Sequence, residues 1–434
     1  MDKFAIDIQR IASSGPDDPH SVALRCGDIV FTRLLRQGQD QLDDYLHAPP
    51  GQLAFWLVDN WWRLRHECVP AGIPSAEWRL AHDMASIGGG YVWPRLGIWG
   101  EGGRVGLASR SDPPGVVGPV RYITDALLFV SGDDFEQVTD AFLRLTVDEH
   151  LGFGSDRDAL RAQIEVLQAE RSDPGFASWR RLEAQLGFDP DTAPDNLMKE
   201  LAKFSSLYGE QNIEEVVQAY PSSNSVRVLN QEIAIATNSG WDCDFSAAIK
   251  FTAGLNRDMT QPPWKAAEEA GNRIRKALDI TSNSIENRSL ADLVDISERA
   301  LDSVERPAVD LPYGLRLKNP KNSRSRLAFR GRWSTSRRFE LCRAVGDAIW
   351  ANSDSLGPLA RSKTARQKFQ RAFAQALLCP FDDLMNFMET SDPTDDDIVA
   401  AARYFDVSDR VVRTTLVNKN VIERVRLEDL VEAA

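Results

Sequence analysis

Two histidine–acid pairs, His66-Glu67 and His82-Asp83, are the side chains of this 434-residue chain best suited to proton transfer or metal binding. An imidazole beside a carboxylate can act as a general acid or base, and two such pairs brought together can hold a divalent ion. Their spacing follows no fixed ligand pattern, so they form a site only if the fold brings the two segments together. The other histidines are His20, His47 and His150, and none follows position 150. Six of the eleven tryptophans (Trp56, Trp61, Trp62, Trp78, Trp93 and Trp99) crowd into the same stretch. They either line a pocket for an apolar or aromatic ligand or supply large rings to the core of a small domain.

Leu53, Trp56, Leu57, Trp61 and Leu64 repeat at helical spacing after Pro49-Pro50, which predicts a helix over about 51–67. Ser75 caps a second predicted helix, 76–87, stopped by Gly88-Gly89-Gly90. A phosphate-binding glycine turn opens a helix, whereas this run ends one. Residues 91–99, 104–109 and 120–130 read as strands, and Phe135, Val138, Phe142 and Leu145 as a helix. Residues 1–150 are therefore expected to be a mixed α+β domain. From 151 to 260 the pattern is helical, with breaks at 173–175 and 189–194. Within it, 201–219 has the length of a helix-turn-helix. Glu214 and Glu215 stand where a recognition helix needs basic or amide side chains, which favours a structural helix pair.

A second chemistry-bearing stretch lies further on. Between Lys318 and Arg343 nine basic residues face one acid, Glu340. Arg324, Arg326, Arg330, Arg332, Arg337 and Arg338, with Phe329, Trp333 and Phe339 interleaved, could hold nucleic acid or an acidic protein surface. The alternative is a solvated edge of the strand predicted over 325–331, its charges discouraging edge pairing.

The same region contains Arg337-Arg338-Phe339-Glu340-Leu341-Cys342-Arg343-Ala344-Val345-Gly346-Asp347, then Phe373-Ala374-Gln375-Ala376-Leu377-Leu378-Cys379-Pro380. This order resembles the core of the ImmA/IrrE family of zinc metallopeptidase-like proteins, whose helix carries R-R-F-x-L-x-H-E-x-G-H and whose next helix ends in F-A-x-x-L-L-x-P. In that family two histidines four apart ligate zinc, a glutamate between them is the general base, and a carboxylate just upstream of the second element is the third ligand. Here Arg343 and Asp347 stand at the histidine positions and Ala344 at the glutamate. Residues 364–372 contain no acid. A guanidinium has no lone pair to offer a metal, so the resemblance implies a zincin-like scaffold without catalytic residues, metal or cofactor. Without the resemblance, Arg343 and Asp347 read as an i, i+4 surface ion pair.

The resemblance covers roughly 265–425 and gives three expected segments: 1–150, a helical connection over 151–260, and an ImmA/IrrE-like (pseudo)metallopeptidase domain over 261–434 with a small helical tail. The expected fold class is α+β, mainly helical. The implied function is that of a non-catalytic bacterial regulatory or interaction protein in phage, mobile-element or stress control, bound to a protein partner such as a helix-turn-helix repressor. A ligand sensor or enzyme with its site in the N-terminal domain is the alternative.

A net charge of −13 argues against binding nucleic acid along the whole chain, since phosphate contact needs clustered Lys and Arg. The five cysteines are odd in number, widely spaced and without C-x-x-C, as expected of reduced thiols in a cytoplasmic protein. No continuous apolar run resembles a secretory signal or a membrane span.

Overall fold

Val22, Leu24 and Cys26 alternate with Ser21, Ala23 and Arg25, the two-residue period of a strand. In the computed structural model of the protein this segment is an antiparallel strand whose partners run on both sides. The structure describes residues 3–11, 19–36, 41–70, 72–115, 118–151, 156–221, 224–255, 261–280, 284–304, 311–351 and 354–423. Among them are seventeen α-helices and fourteen strands in small antiparallel sheets, so the fold is α+β and mainly helical. The chain divides into two compact units, residues 1–202 and 203–434.

The first unit opens with β1 (Phe4–Gln9), β2 (His20–Cys26), β3 (Ile29–Val30), β4 (Leu34–Arg36), β5 (Gln41–Asp43) and β6 (Leu46–Ala48). Helices α1 (Pro50–Asp59), α2 (Trp61–His66) and α3 (Ala76–His82) follow. Then come β7 (Leu96–Gly100), β8 (Arg104–Ser109), β9 (Val120–Tyr122), β10 (Ala126–Ser131), α4 (Gly132–Asp148), α5 (Arg157–Ser172) and α6 (Pro174–Gln185). Its sheets are ordered β1-β2-β3 with β6 on β2, β10-β8-β7, and β5-β4-β9.

Local chemistry moved several predicted boundaries. The helix expected over 51–67 is split at Asn60, whose side-chain amide donates back to Trp56 O at 2.9 Å and competes with the helical ladder. Ser75 caps α3 through the Trp78 N–H at 3.1 Å, but α3 ends at His82 and a 3-10 turn covers 84–86. The strand expected over 91–99 starts at Leu96, past Pro94, which cannot donate to a ladder. The strand over 120–130 is two strands in different sheets, parted where Thr124 Oγ1 donates to Val30 O and Asp125 accepts from Ser111. Trp56, Trp61, Trp62, Trp93 and Trp99 are buried and Trp78 is half-buried, so these rings form core rather than an open pocket.

Helix α7 (Asp195–Tyr208) runs through the division between the units. Beyond it come α8 (Glu210–Ala219), α9 (Ser225–Ser239), β11 (Trp241–Asp244), α10 (Ser246–Phe251), α11 (Pro263–Ala277), α12 (Asn287–Leu293), β12 (Gly314–Lys318) and β13 (Arg324–Ala328). The chain continues through α13 (Ser334–Trp350), β14 (Leu356–Leu359), α14 (Ala365–Leu378), α15 (Phe381–Met388), α16 (Asp395–Tyr404) and α17 (Asp409–Asn418).

The sheet of this unit is ordered β11-β13-β12-β14. The basic strand β13 is thus an inner strand, paired on both sides, and not the solvated edge that its charges suggested. Helix α14 packs between α13 and α11, and the approach to α11 is close: a Cβ on Gly271 would meet Ala376 Cβ at 2.9 Å. Thr394 and Asp397 close a capping box on α16. Ser408 sits at the N-cap of α17, but its side chain makes no cap bond. Among the described residues no helix is long and apolar enough to cross a membrane, and none of the five cysteines is in a disulfide.

Candidate functional site

The face of α13 that turns toward α14 and β14 carries Arg343 and Asp347, and both are buried. They are neither at the surface nor paired with each other, which corrects the surface ion-pair expectation. Asp347 Oδ2 accepts from Arg316 Nε on β12 at 2.7 Å and from Arg366 Nη2 on α14 at 3.0 Å. Its Oδ1 accepts from Arg366 Nε at 2.6 Å and from Gln370 Nε2 at 2.7 Å. Arg343 donates to Leu359 O at 3.1 Å, to Ala360 O at 2.6 Å, to Gln367 Oε1 at 2.6 Å and to Gln370 Oε1 at 3.1 Å. The Gln370 amide therefore joins the two positions, accepting from one and donating to the other.

The network extends in both directions. Arg366 Nη1 reaches Asp354 at 2.7 Å. Gln367 Nε2 and Thr364 Oγ1 donate to Glu215 on α8, at 3.0 and 2.8 Å. Burial raises the Asp347 carboxyl pKa, but Arg366 and Arg316 outweigh burial and hold it below the usual carboxylate range. Burial lowers the Arg343 guanidinium, as does the neighbouring Arg371. Burial raises Glu215 against the pull of Arg366 and its two hydrogen bonds. Beside Asp347, β14 passes so closely that a Cβ on Gly357 would overlap the carboxylate.

This arrangement does not fit a metal. The Asp347 oxygens are taken up by two guanidiniums and an amide, Arg343 offers only donors, and Ala344 offers nothing. Among the described residues no group of three or more His, Cys, Asp or Glu side chains is placed to hold an ion. What the centre does is tie α8, α13, α14, β12 and β14 together through charge-assisted bonds. The sequence carried a partial signal for it. Arg366, Gln370, Phe373 and Leu377 lie at i, i+4, i+7 and i+11, a helical stripe that turns from polar to apolar. Arg316 and Glu215 carry no such signal.

In the first unit the structure brings Glu67 and His82 together but not His66 or Asp83. His82 Nε2 lies 2.9 Å from Glu67 Oε2, and Arg63 Nε donates to the same oxygen at 2.6 Å. His82 Nδ1 lies 2.6 Å from Ile98 O, which can only accept, so Nδ1 is the donor there. The ring stacks on Trp78 at 4.2 Å and has no solvent exposure. A closed pair of this kind latches α2, α3 and β7 and offers no substrate a reacting atom. His66 stacks on Trp62 instead, where burial and then Arg65, Arg181 and Arg171 hold its pKa well below the ordinary imidazole value. Asp83 turns away to cap the 3-10 turn at Ala85 N.

The basic stretch divides. Arg337 and Arg338 are buried: Arg337 Nε donates to Ala300 O at 2.6 Å, while Arg338 donates to Ile285 O at 2.7 Å, to Asp406 O at 3.0 Å and to Asn287. They belong to the interior and cannot reach a partner. Arg324 is ion-paired to Asp242 and Asp295, and Arg326 donates to Gly240 O at 2.9 Å. Arg330 is half-buried. Arg332 is exposed beside Trp333, its guanidinium 4.8 Å from the ring centroid.

A cleft of about 590 Å³ in the first unit had no forerunner in the sequence reading. Phe176, 58% exposed, and Trp179 line it with Asp173, Arg180, Glu183 and Asp191. No protein-family model, curated protein or solved structure matches this chain.

Proposed function

We propose that this chain is a non-catalytic relative of the ImmA/IrrE proteins that acts as a cytoplasmic regulatory or interaction protein by holding a protein partner, a helix-turn-helix repressor being the class the family resemblance implies. The observation that carries the reading is the pair Arg343 and Asp347. The two positions at which the resemblance expects metal-ligating histidines are buried side by side on one helix face and joined through Gln370 on the next helix. A surface coincidence of sequence gives no reason for two residues four apart to converge with α14 in a closed polar centre. Arg332 beside Trp333, with Arg326 beyond it, presents exposed basic charge to an anionic surface, whether acidic protein or nucleic acid.

Mixing the purified chain with a panel of helix-turn-helix repressors tests this, with binding read by calorimetry and integrity by mass spectrometry. Binding with every repressor left intact is the expected result, weakened by salt and by Arg332→Glu. A cleaved repressor contradicts the non-catalytic reading. The second reading, a ligand sensor in the first unit, is favoured by the Phe176–Trp179 cleft, whose volume suits a small molecule. Saturable quenching of tryptophan fluorescence by a small cationic ligand, lost in Trp179→Ala, would favour it.

A further inference from the structure

Helix α9 carries Ser225, Val228 and Glu232 at i, i+3 and i+7 on a buried face. Val228 packs with Tyr313 and Ala360, and α9 lies on β12 and β13. Glu232 is 0% exposed, and among the described residues neither of its carboxylate oxygens has a hydrogen-bond partner. The Tyr313 hydroxyl is also buried and has no partner among the described residues. Native proteins leave few buried polar groups unpaired, and an ionised carboxylate is the most costly kind.

The groups facing Glu232 do not neutralise it. Tyr313 contributes its backbone N–H, which draws the carboxyl pKa down but less than burial raises it. Arg330, at the end of β13, attracts. Glu340, on α13, repels, and it already accepts from the N–H groups of Arg330 and Gly331 at 2.8 and 2.9 Å. Burial dominates, so the Glu232 carboxyl is pushed up to about 8.

We propose that Glu232 is a proton-operated latch: its neutral carboxyl allows α9 to close on β12 and β13, and loss of the proton releases the helix. The next residues give the release a consequence. Gly240 O, directly after α9, accepts from Arg326 of the basic stretch, so release of α9 acts on the segment that holds that arginine. This inference is independent of the family reading.

The sign follows from linkage. In the released state the carboxyl titrates near its ordinary value of about 4.3. Closure is strongest below that value and weakens as pH rises toward about 8, beyond which the effect is constant. Hydrogen exchange of peptides covering 225–239, corrected for the intrinsic chemical rate, reads this directly in the full chain. Relative to Glu232→Gln, the nearest mimic of the neutral acid, wild-type opening should rise about tenfold per pH unit between about pH 5.5 and 7.5 and level off past 8. A ratio that does not change with pH overturns the latch, and so does a Gln variant that fails to fold. Infrared titration of the wild type alone is the second measurement. A protonated carboxyl band that persists at neutral pH and disappears around pH 8 supports the proposal, and its absence at neutral pH overturns it.

Discussion

The two units each bury a carboxylate among cations, and they do it with different chemistry. Glu67 in the first unit is held by Arg63 and His82, and Arg63 also reaches Asp189, an exposed acid. Asp347 in the second is held by two arginines and a glutamine, with Arg343 tied into the same amide. The difference lies in what remains when the carboxylate is lost. Arg63 keeps an exposed second acid, Asp189, whereas Arg316 has Asp347 as its carboxylate partner among the described ion pairs. The second centre therefore carries the more obligatory polarity of the two.

Removing each carboxylate is the most forceful way to break this comparison. Asp347→Ala leaves Arg316 and Arg366 buried and uncompensated and should destabilise the second unit by about 3–5 kcal/mol in urea melts. Glu67→Ala should cost the first unit less, about 2–3 kcal/mol, because Arg63 keeps its second partner Asp189. Equal losses would remove the distinction. Gly357→Ala sharpens it at lower cost: the new methyl meets a carboxylate fixed from both sides, and overpacking of about 1–3 kcal/mol should follow, with crystallographic displacement of the Asp347–Arg316 contact. The smallest effect belongs to His66. Its folded pKa lies below the unfolded value, so its contribution is present above about pH 6.5 and is lost as pH falls toward the folded pKa. Comparing acid melts of wild type and His66→Phe should show a difference that grows as pH falls below about 6.5 and does not change with pH above it. A difference independent of pH would assign the effect to stacking on Trp62 alone.

Elements with a local cause were legible in the sequence. Ser75 and the stripe Phe135, Val138, Phe142 each place a helix through residues within a few positions of one another. Only half of the candidate site was legible, because the rest depends on distant partners. Arg337 and Arg338 look like surface charge until Ala300, Ile285 and Asp406 supply carbonyl oxygens from other elements. Glu215 was set aside as an obstacle to DNA binding, and it serves instead as an acceptor for Thr364 and Gln367, some 150 residues away. Two of the four predicted N-terminal site residues were drawn away from Glu67 and His82 by local competition: Asp83 is used by its own turn, and His66 by the tryptophans one turn back.

The claim that the centre of the second unit is closed by its own side chains is tested most directly by zinc content. Metal analysis of wild type purified without chelator, and again after exposure to excess zinc, should show no stoichiometric zinc held there and no rise in the melting temperature of that unit. One tightly bound equivalent that stabilises the second unit, and that is lost in Arg343→Ala or Asp347→Ala, would contradict the account.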